Sequence, residues 1–214
     1  MRTASALTAT LTLLALGLAG CSAPASTVAG TTTDTGKTPD TAPVASSTPT
    51  PTPTPTVASE FGEQVKSTRG NLVKQLGQLA GTASSTGADT VTSRFAVTDI
   101  VVDQPCDSGY SESPQNGHFL GIHLNVETTP ELADDAFPTV SFSEYDWQAY
   151  DADGKRLNDP IGAAWSCLST AQQLPVDIGP GQSVSGWIVL DVAATTGIVV
   201  LAPAGSAVGW EWSY

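Results

Sequence analysis

Alternation of apolar and polar residues is the main pattern in the C-terminal part of the chain. The clearest case is "HFLGIHLNVET", residues 118–128, where every second residue is aliphatic. One face of this segment carries Leu120, Ile122, Leu124 and Val126, and the other carries Phe119, His123, Asn125 and Glu127. A period of two is typical of a strand with one buried face. The pattern therefore predicts a strand at 118–128.

Comparable runs follow one another along the chain and are separated by Gly, Pro, Asn and Asp. They are 94–103, 140–151, 181–192, 197–203 and 208–214. The predicted core faces are Tyr145, Trp147 and Ala149; Val184, Gly186, Ile188, Leu190 and Val192; and Val208, Trp210, Trp212 and Tyr214. Many short strands without a long amphipathic helix are typical of a β-sandwich. We therefore expect an all-β domain built from two sheets.

Two of these runs carry local signals. Between Val97 and Ile100 the apolar phase slips, which predicts either a strand covered on both faces or a bulge near Asp99. The pair Asp153-Gly154 is typical of a tight hairpin turn.

The segment "NLVKQLGQLAG", residues 71–81, is ambiguous. Its leucines fit helical spacing, but Gly77 and Gly81 weaken a helix. We expect a short helical or irregular entry followed by an edge strand.

The first 59 residues have a different composition. Arg2 precedes an apolar run at 6–18, which has the pattern of a secretory signal and is too short to span a membrane. The tetrapeptide Leu18-Ala19-Gly20-Cys21 resembles the lipobox of bacterial lipoproteins, which implies cleavage after residue 20 and a lipid on Cys21. An ordinary secreted protein cut elsewhere is the alternative. The first interpretation predicts a lipid-anchored protein of the cell membrane that faces the extracytoplasmic side.

Residues 21–59 are rich in Ser, Thr, Ala and Pro and end in "STPTPTPTPT" at 47–56. Such a segment lacks the apolar residues that would offset the entropy of folding, and its prolines favour extended polyproline II. We expect a disordered tether, either bare or carrying O-linked sugar on its threonines. The predicted organisation is a signal peptide at 1–20, a tether at 21–59 and one β-sandwich domain at 60–214.

The cysteine count indicates the redox environment of the protein, and its charge limits the classes of binding partner. With Cys21 assigned to lipid, Cys106 and Cys167 remain. Outside the cytoplasm these two are expected to form a disulfide, and the alternative is two buried thiols.

Residues 99–214 contain 16 acidic residues and only two basic ones, Lys155 and Arg156. Because an acidic surface repels phosphate backbones, nucleic acid is excluded as a partner. A basic protein surface, a cation or a sugar is compatible with this charge, as is simple solubility.

The order of the segments "RGNLVKQLG", "FAVTDIVVD", "GHFLGIHLNVET", "YDADGK", "IGPGQSVSGWIVLDV" and the terminal "GWEW" resembles a family of secreted and lipid-anchored proteins of Gram-positive bacteria. These are immunoglobulin-like domains of unassigned function, related to the mycobacterial secreted immunoprotective antigen. The resemblance covers most of 66–214, and its best motif runs from Gly181 to Val192. It implies an immunoglobulin-like sandwich at the cell surface and no catalytic residue. Because Cys106 follows Pro105 in a loop, we expect its disulfide to join loops at one end of the sandwich rather than two facing strands.

Candidates for chemistry are few. His118 and His123 are five residues apart, so they fall on opposite faces of a strand and are not expected to share a metal ion. His123 is expected on a solvated stripe. The sequence "DADG" at 151–154 starts like a calcium loop, but position 12 of that loop is Gly162 rather than Glu, which favours a hairpin. The acidic segment 130–137 is expected to be a solvated face.

No nucleophile, metal-protease or phosphate-loop motif occurs, and the sequence indicates no cofactor. The five tryptophans are compatible with a sugar or peptide platform or with core packing, which is the commoner role. Trp187 lies on the other face of its predicted strand from Ile188 and Leu190, so it is expected to point outward.

We expect a non-catalytic domain that binds an envelope or surface protein or has an accessory envelope role. The alternatives are a binding protein for a small ligand or cation and, less favoured, an enzyme.

Overall fold

A computed structural model describes residues 60–85, 87, 90–203, 206 and 208–214. The predicted signal peptide at 1–20, the lipid on Cys21 and the tether at 21–59 lie outside the described residues. Within the described part, no helix has the length and apolar character needed to cross a membrane.

The described residues contain eight strands in two four-stranded sheets. Sheet I has the order β1 (Leu72–Val73), β8 (Trp210–Ser213), β7 (Gly197–Leu201) and β5 (Trp147–Asp151). Sheet II has the order β2 (Ala80–Ala83), β3 (Val91–Val102), β4 (His118–Thr128) and β6 (Ser183–Val192). Every pairing is antiparallel except that of β1 with β8. Short 3-10 helices lie at Pro130–Asp134, Glu144–Asp146 and Ala164–Ser166. The all-β, two-sheet sandwich expected from the sequence is confirmed.

The core between the sheets is built from the alternating faces that the sequence predicted. Leu120, Ile122, Leu124 and Val126 of β4 are fully buried. They pack in one cluster with residues of both sheets, among them Ile188, Leu190, Trp147, Val199, Trp210 and Trp212. Burying large apolar side chains is the dominant favourable term in folding, at about 25 cal/mol per Å². The strand pattern thus fixes the inner face of each sheet.

The slip in β3 is a bulge. Val97 pairs with Leu124 and Asp99 pairs with His123, so Thr98 is the extra residue. The expected bulge near Asp99 is confirmed, and it turns Thr98 toward β4.

The segment 71–81 contains no helix: it forms the short β1, a turn, and the edge strand β2. The irregular entry and edge strand are confirmed for this segment.

The segment before β5 departs from the prediction. Tyr145 was expected to share a core face with Trp147, but it lies in a 3-10 turn and is 78% exposed. Ser143 caps this turn, because its Oγ and backbone N–H both donate to the carboxylate of Asp146. Local capping bonds therefore override the alternation.

After β5, the predicted hairpin at Asp153-Gly154 is confirmed, since Gly154 donates to the Asp151 carbonyl and Tyr150 forms a bridge to Arg156.

Polar contacts fix the N-terminal part of the domain against sheet I. Glu211 of β8 is 4% exposed and accepts both a bidentate pair of bonds from Arg69 and one bond each from Ser67 and Asn71. Lys74 is also buried, and its Nζ donates to the carbonyls of Phe61 and Leu79 at 2.8 and 2.7 Å. Burial lowers the pKa of Lys74.

Candidate binding surface

The outer face of sheet II is covered by a second, smaller core. Phe119 of β4 and Val189 of β6 point away from the main core and pack against residues that follow the hairpin. These covering residues are Ala163, Ala164, Cys167 and Leu168. This cover explains why Trp187 and Val189, on the outer face of β6, are apolar as well.

A disulfide ties this cover to the loop after β3. Cys106 and Cys167 are joined with their Cα atoms 4.6 Å apart, and 61 positions separate them in sequence. Asp107 and Ser108 also donate backbone N–H groups to the Cys167 carbonyl. The bond links two loops, as expected from Pro105, and it lies over the outer face of sheet II.

A buried carboxylate holds the same two loops. Asp191 of β6 is fully buried, and its Oδ2 accepts the backbone N–H groups of Gln115 at 2.6 Å and Ala163 at 3.1 Å. Its Oδ1 accepts the N–H of Asn116 at 2.9 Å. Gly162 has a φ of +46° and approaches Asp191 so closely that a side chain there would collide with the carboxylate. Sheet II therefore fixes the position of the segment that carries Trp165.

A groove of about 170 Å³ runs beside the outer edge of β6. Its walls include Trp165, Leu168, Gln173, Val176, Trp187 and Glu144, and we call it the Trp165–Trp187 groove. Trp165 is 61% exposed and Val176 is 66% exposed, so apolar surface faces solvent at the rim. The Glu144 carboxylate has no ion-pair partner among the described residues. The groove thus combines apolar walls with polar ones, among them Gln173 and the unpaired carboxylate of Glu144.

The edge of β6 is partly occupied by the chain itself. In the register with β4, Trp187, Val189 and Asp191 direct their backbone groups outward. Trp187 donates its N–H to Gln172 and accepts from Leu174. This close approach requires Gly186, because a Cβ there would lie 2.5 Å from the backbone nitrogen of Leu174. Segment 172–174 therefore behaves as one short added strand.

Val189 is the unpaired position on this edge, and the residue as a whole is 7% exposed. The backbone groups of Trp187 bind segment 172–174, and the Asp191 N–H binds the Pro160 carbonyl. Within the described residues, no partner lies on the outward N–H and C=O of Val189. Val189 also lines the groove. The groove consequently offers an adjacent backbone donor and acceptor.

The two histidines lie on opposite faces of β4, as expected. His118 Nδ1 is 2.7 Å from the Asp103 carboxylate, and both side chains are open to solvent. The expected solvated stripe is confirmed at Asn125 and Glu127, which are exposed, whereas His123 is only half-exposed. Its Nδ1 lies 2.7 Å from the hydroxyl of Thr98, the bulge residue, and its ring packs edge-on against Trp187 at 4.9 Å. Neither histidine lines the Trp165–Trp187 groove.

The acidic segments are held by local bonds. Asp151 Oδ1 accepts the N–H groups of Asp153 and Lys155, as in a hairpin turn. In the segment 130–137, Leu132 is buried, and Asp135 accepts bonds from the Ser85 hydroxyl and N–H. These bonds, that of the hydroxyl foremost, lower the pKa of Asp135. Among the described residues, no group of three or more His, Cys, Asp or Glu is placed to hold a metal ion.

The tryptophans divide between core and surface. Trp147, Trp210 and Trp212 are buried in the main core, Trp187 is half-buried on the outer face, and Trp165 is exposed. The sequence pattern did not single out Trp165 as exposed, because it lies in a 3-10 turn with no strand alternation. Its position two residues before Cys167 is the one signal that places it on a stapled loop.

Comparisons with known proteins add one structural likeness. No family model matches the sequence, and no curated protein matches it. Among solved structures, a similar chain is MPT63, a secreted protein from Mycobacterium tuberculosis whose crystal structure was determined at 1.5 Å resolution. The two chains are 16% identical with a TM-score of 0.44, and the match covers 67% of this chain and 98% of that chain.

Proposed function

We propose that this protein is a lipid-anchored, extracytoplasmic, non-enzymatic binding module. Its sandwich presents the Trp165–Trp187 groove to an extended segment of an envelope or surface protein. The observation that carries the proposal is the unpaired backbone donor and acceptor of Val189 beside an exposed groove that has both apolar and polar walls. Addition of a strand to a sheet edge is a common mode of peptide recognition.

The cellular location in this proposal rests on the disulfide and on the N-terminal sequence. Disulfides form and persist outside the reducing cytoplasm. A lipid on Cys21 would hold the domain at the membrane, and the tether would keep it at a distance. Solvent-exposed Trp165 would then face other molecules of the envelope.

The chemistry of the partner follows from the groove. Segment 172–174 already pairs with β6 at Trp187 in the parallel sense, so the edge accepts an added strand. A partner segment would bind Val189 through its backbone and Trp165 through an apolar side chain. The unpaired Glu144 and the acidic surface favour a basic side chain beside them. The proposed occupant is therefore an extended segment with apolar and basic residues.

The first experiment is photo-crosslinking on native envelope fractions. The bait is the chain with Cys21→Ser, which cannot receive lipid, carrying a photoreactive residue in place of Val176 at the groove rim. We expect one saturable partner, competed by unlabelled chain and lost with Trp165→Ala. Tyr110→Ala is the matched control, because Tyr110 is 87% exposed and does not line the groove.

A second step tests the mode of binding. A synthetic peptide from the crosslinked segment is compared with the same peptide N-methylated at single positions, because N-methylation removes one backbone donor. Strand addition predicts that methylation at one position weakens binding about tenfold or more. Capture that survives Trp165→Ala, or peptide binding that ignores every N-methyl group, would overturn the proposal.

The absence of catalysis is part of the proposal. The Thr98–His123 pair has a hydroxyl beside an imidazole, which is half of a nucleophile–base–orienter arrangement. Neither side chain lines the groove, and the His123 ring lies behind Trp187 of its wall. Hydrolysis of the crosslinked partner that stops on His123→Gln would count against the proposal.

A further inference from the structure

A second cavity lies between the two sheets at one end of the sandwich. It has a volume of about 150 Å³ and is formed by β5, the return of its hairpin, the end of β6 and the end of the chain. Ala149, Leu157 and Val192 form apolar parts of its lining. Ala149 and Val192 belong to the main core, and Leu157 packs against it. The cavity is therefore an opening into the core.

Three side chains that can donate hydrogen bonds line this opening. Lys155, Arg156 and Tyr214 line it, and they present an ammonium, a guanidinium and a phenol hydroxyl. None of these three groups has a hydrogen-bond or ion-pair partner among the described residues. Lys155 and Arg156 are also the two basic residues of the stretch 99–214. In a domain with so many acids, both cations of this stretch lie at one opening.

The side-chain carboxylate among the lining residues, that of Asp151, takes part in the hairpin turn. Asp151 Oδ1 accepts two backbone N–H groups of the hairpin turn. Burial, and after it the negative charge of Asp151, raises the pKa of Tyr214. The phenol therefore keeps its proton and remains a hydrogen-bond donor. Three donors thus surround an apolar floor. A ligand with an acceptor head and an apolar body matches such a site.

We propose that this opening, the Leu157–Tyr214 pocket, binds a small amphipathic carboxylate. Its apolar body would contact Leu157 and Val192, and its carboxylate would accept bonds from Arg156, Lys155 and the Tyr214 hydroxyl. An engineered apolar cavity of about 150 Å³ holds benzene, so the body is of the size of one ring or a short aliphatic chain. This site is separate from the Trp165–Trp187 groove, and its test is independent of the partner proposed there.

The test uses the Cys21→Ser chain, because detergent for a lipidated form would compete for an apolar pocket. The probe is 3-phenylpropionate, measured by calorimetry and by shifts of backbone amide resonances. Phenethylamine is the matched control ligand, with a similar body and the opposite charge. The variants are Lys155→Gln with Arg156→Gln, and Tyr214→Phe, which removes only the hydroxyl. Arg94→Gln is the control variant, since Arg94 pairs with Glu60 elsewhere on the surface.

We expect 3-phenylpropionate to bind and to shift the amides of Leu157, Val192 and Tyr214. The double variant should weaken binding about tenfold, and Tyr214→Phe about threefold to fivefold. Arg94→Gln should leave binding unchanged, and phenethylamine should not bind. Three results would overturn the proposal: no binding at millimolar probe, equal binding of the amine, or binding that the double variant leaves intact. Normal unfolding of Tyr214→Phe in urea excludes misfolding as the cause of lost binding.

Discussion

The carboxylate of Asp191 accepts the backbone N–H of Ala163 at 3.1 Å beneath the loop that carries Trp165. The same oxygen accepts the N–H of Gln115 at 2.6 Å, so one side chain of β6 fixes two loops that are far apart in sequence. Because Asp191 is fully buried, each of these bonds is made in a region of low dielectric. The shape of the outer surface of sheet II thus depends on a buried group that does not line the Trp165–Trp187 groove.

Replacing Asp191 with Asn should therefore destabilise the domain. An amide group offers only one acceptor oxygen, and its NH₂ would face a backbone donor, leaving a buried N–H unpaired. We expect a loss of about 2–4 kcal/mol in the free energy of unfolding. Urea-induced unfolding, followed by tryptophan fluorescence, measures it. Asp153→Asn, an exposed change in the hairpin turn, should be nearly neutral, and equal effects of the two variants would refute the assigned role.

The disulfide should stabilise the same cover. Cys106 and Cys167 are separated by 61 positions, so the bond closes a long loop of the unfolded chain. The double variant Cys106→Ala, Cys167→Ala is expected to lose about 2–4 kcal/mol in the free energy of unfolding. Reducing the native chain before unfolding should give a similar loss. A loss below about 1 kcal/mol would show that Asp191 and the small core hold the loops without the bond.

The sequence predicted the sheets well, because the inner faces of β4, β6 and β8 follow from side-chain alternation alone. The slip of the apolar phase after Val97 was compatible with a bulge or with a strand covered on both faces, and the structure has the bulge, at Thr98. Alternation failed at Tyr145, where the capping bonds between Ser143 and Asp146 form a turn. The motif of a serine followed by an acid three residues later was present and would have indicated this turn.

The binding surfaces depend on contacts that sequence spacing does not encode. The open edge at Val189 exists because segment 172–174 stops pairing at Trp187, which is a property of the folded loop. The Leu157–Tyr214 pocket joins a hairpin return to the end of the chain across two sheets. Lys155 and Arg156 stood out by their charge, but only the fold places them beside an apolar opening.

The pKa of Asp107 offers a test of the stapled loop in solution. The backbone N–H and the hydroxyl of Ser169 donate to this carboxylate, both at 2.7 Å, and lower its pKa from the usual 3.8. Any stabilisation from Asp107 is present above pH 3.8 and is lost as the pH falls through the lowered pKa. Ser169→Ala removes the hydroxyl and should raise the pKa toward its usual value, as carboxyl ¹³C NMR titration would show. Ser108→Ala should leave the Asp107 titration unchanged, and the assigned bonds are wrong if both variants behave alike.

Lys74 should make stability depend on pH in the alkaline range. Its buried ammonium has no carboxylate partner within 4 Å among the described residues, and burial lowers its pKa below 10.5. Between the lowered value and 10.5, the unfolded chain binds more protons than the folded chain, so the free energy of unfolding rises with pH. Lys74→Met should remove this rise, whereas Lys66→Met, at an exposed lysine, should retain it. The measurement is the urea unfolding free energy of each chain at several pH values up to 10.5. Because Tyr214 titrates in the same range with a raised pKa and the opposite sign, the difference between native and variant chains is the informative quantity. A difference that stays constant with pH would mean that Lys74 is hydrated in the folded protein.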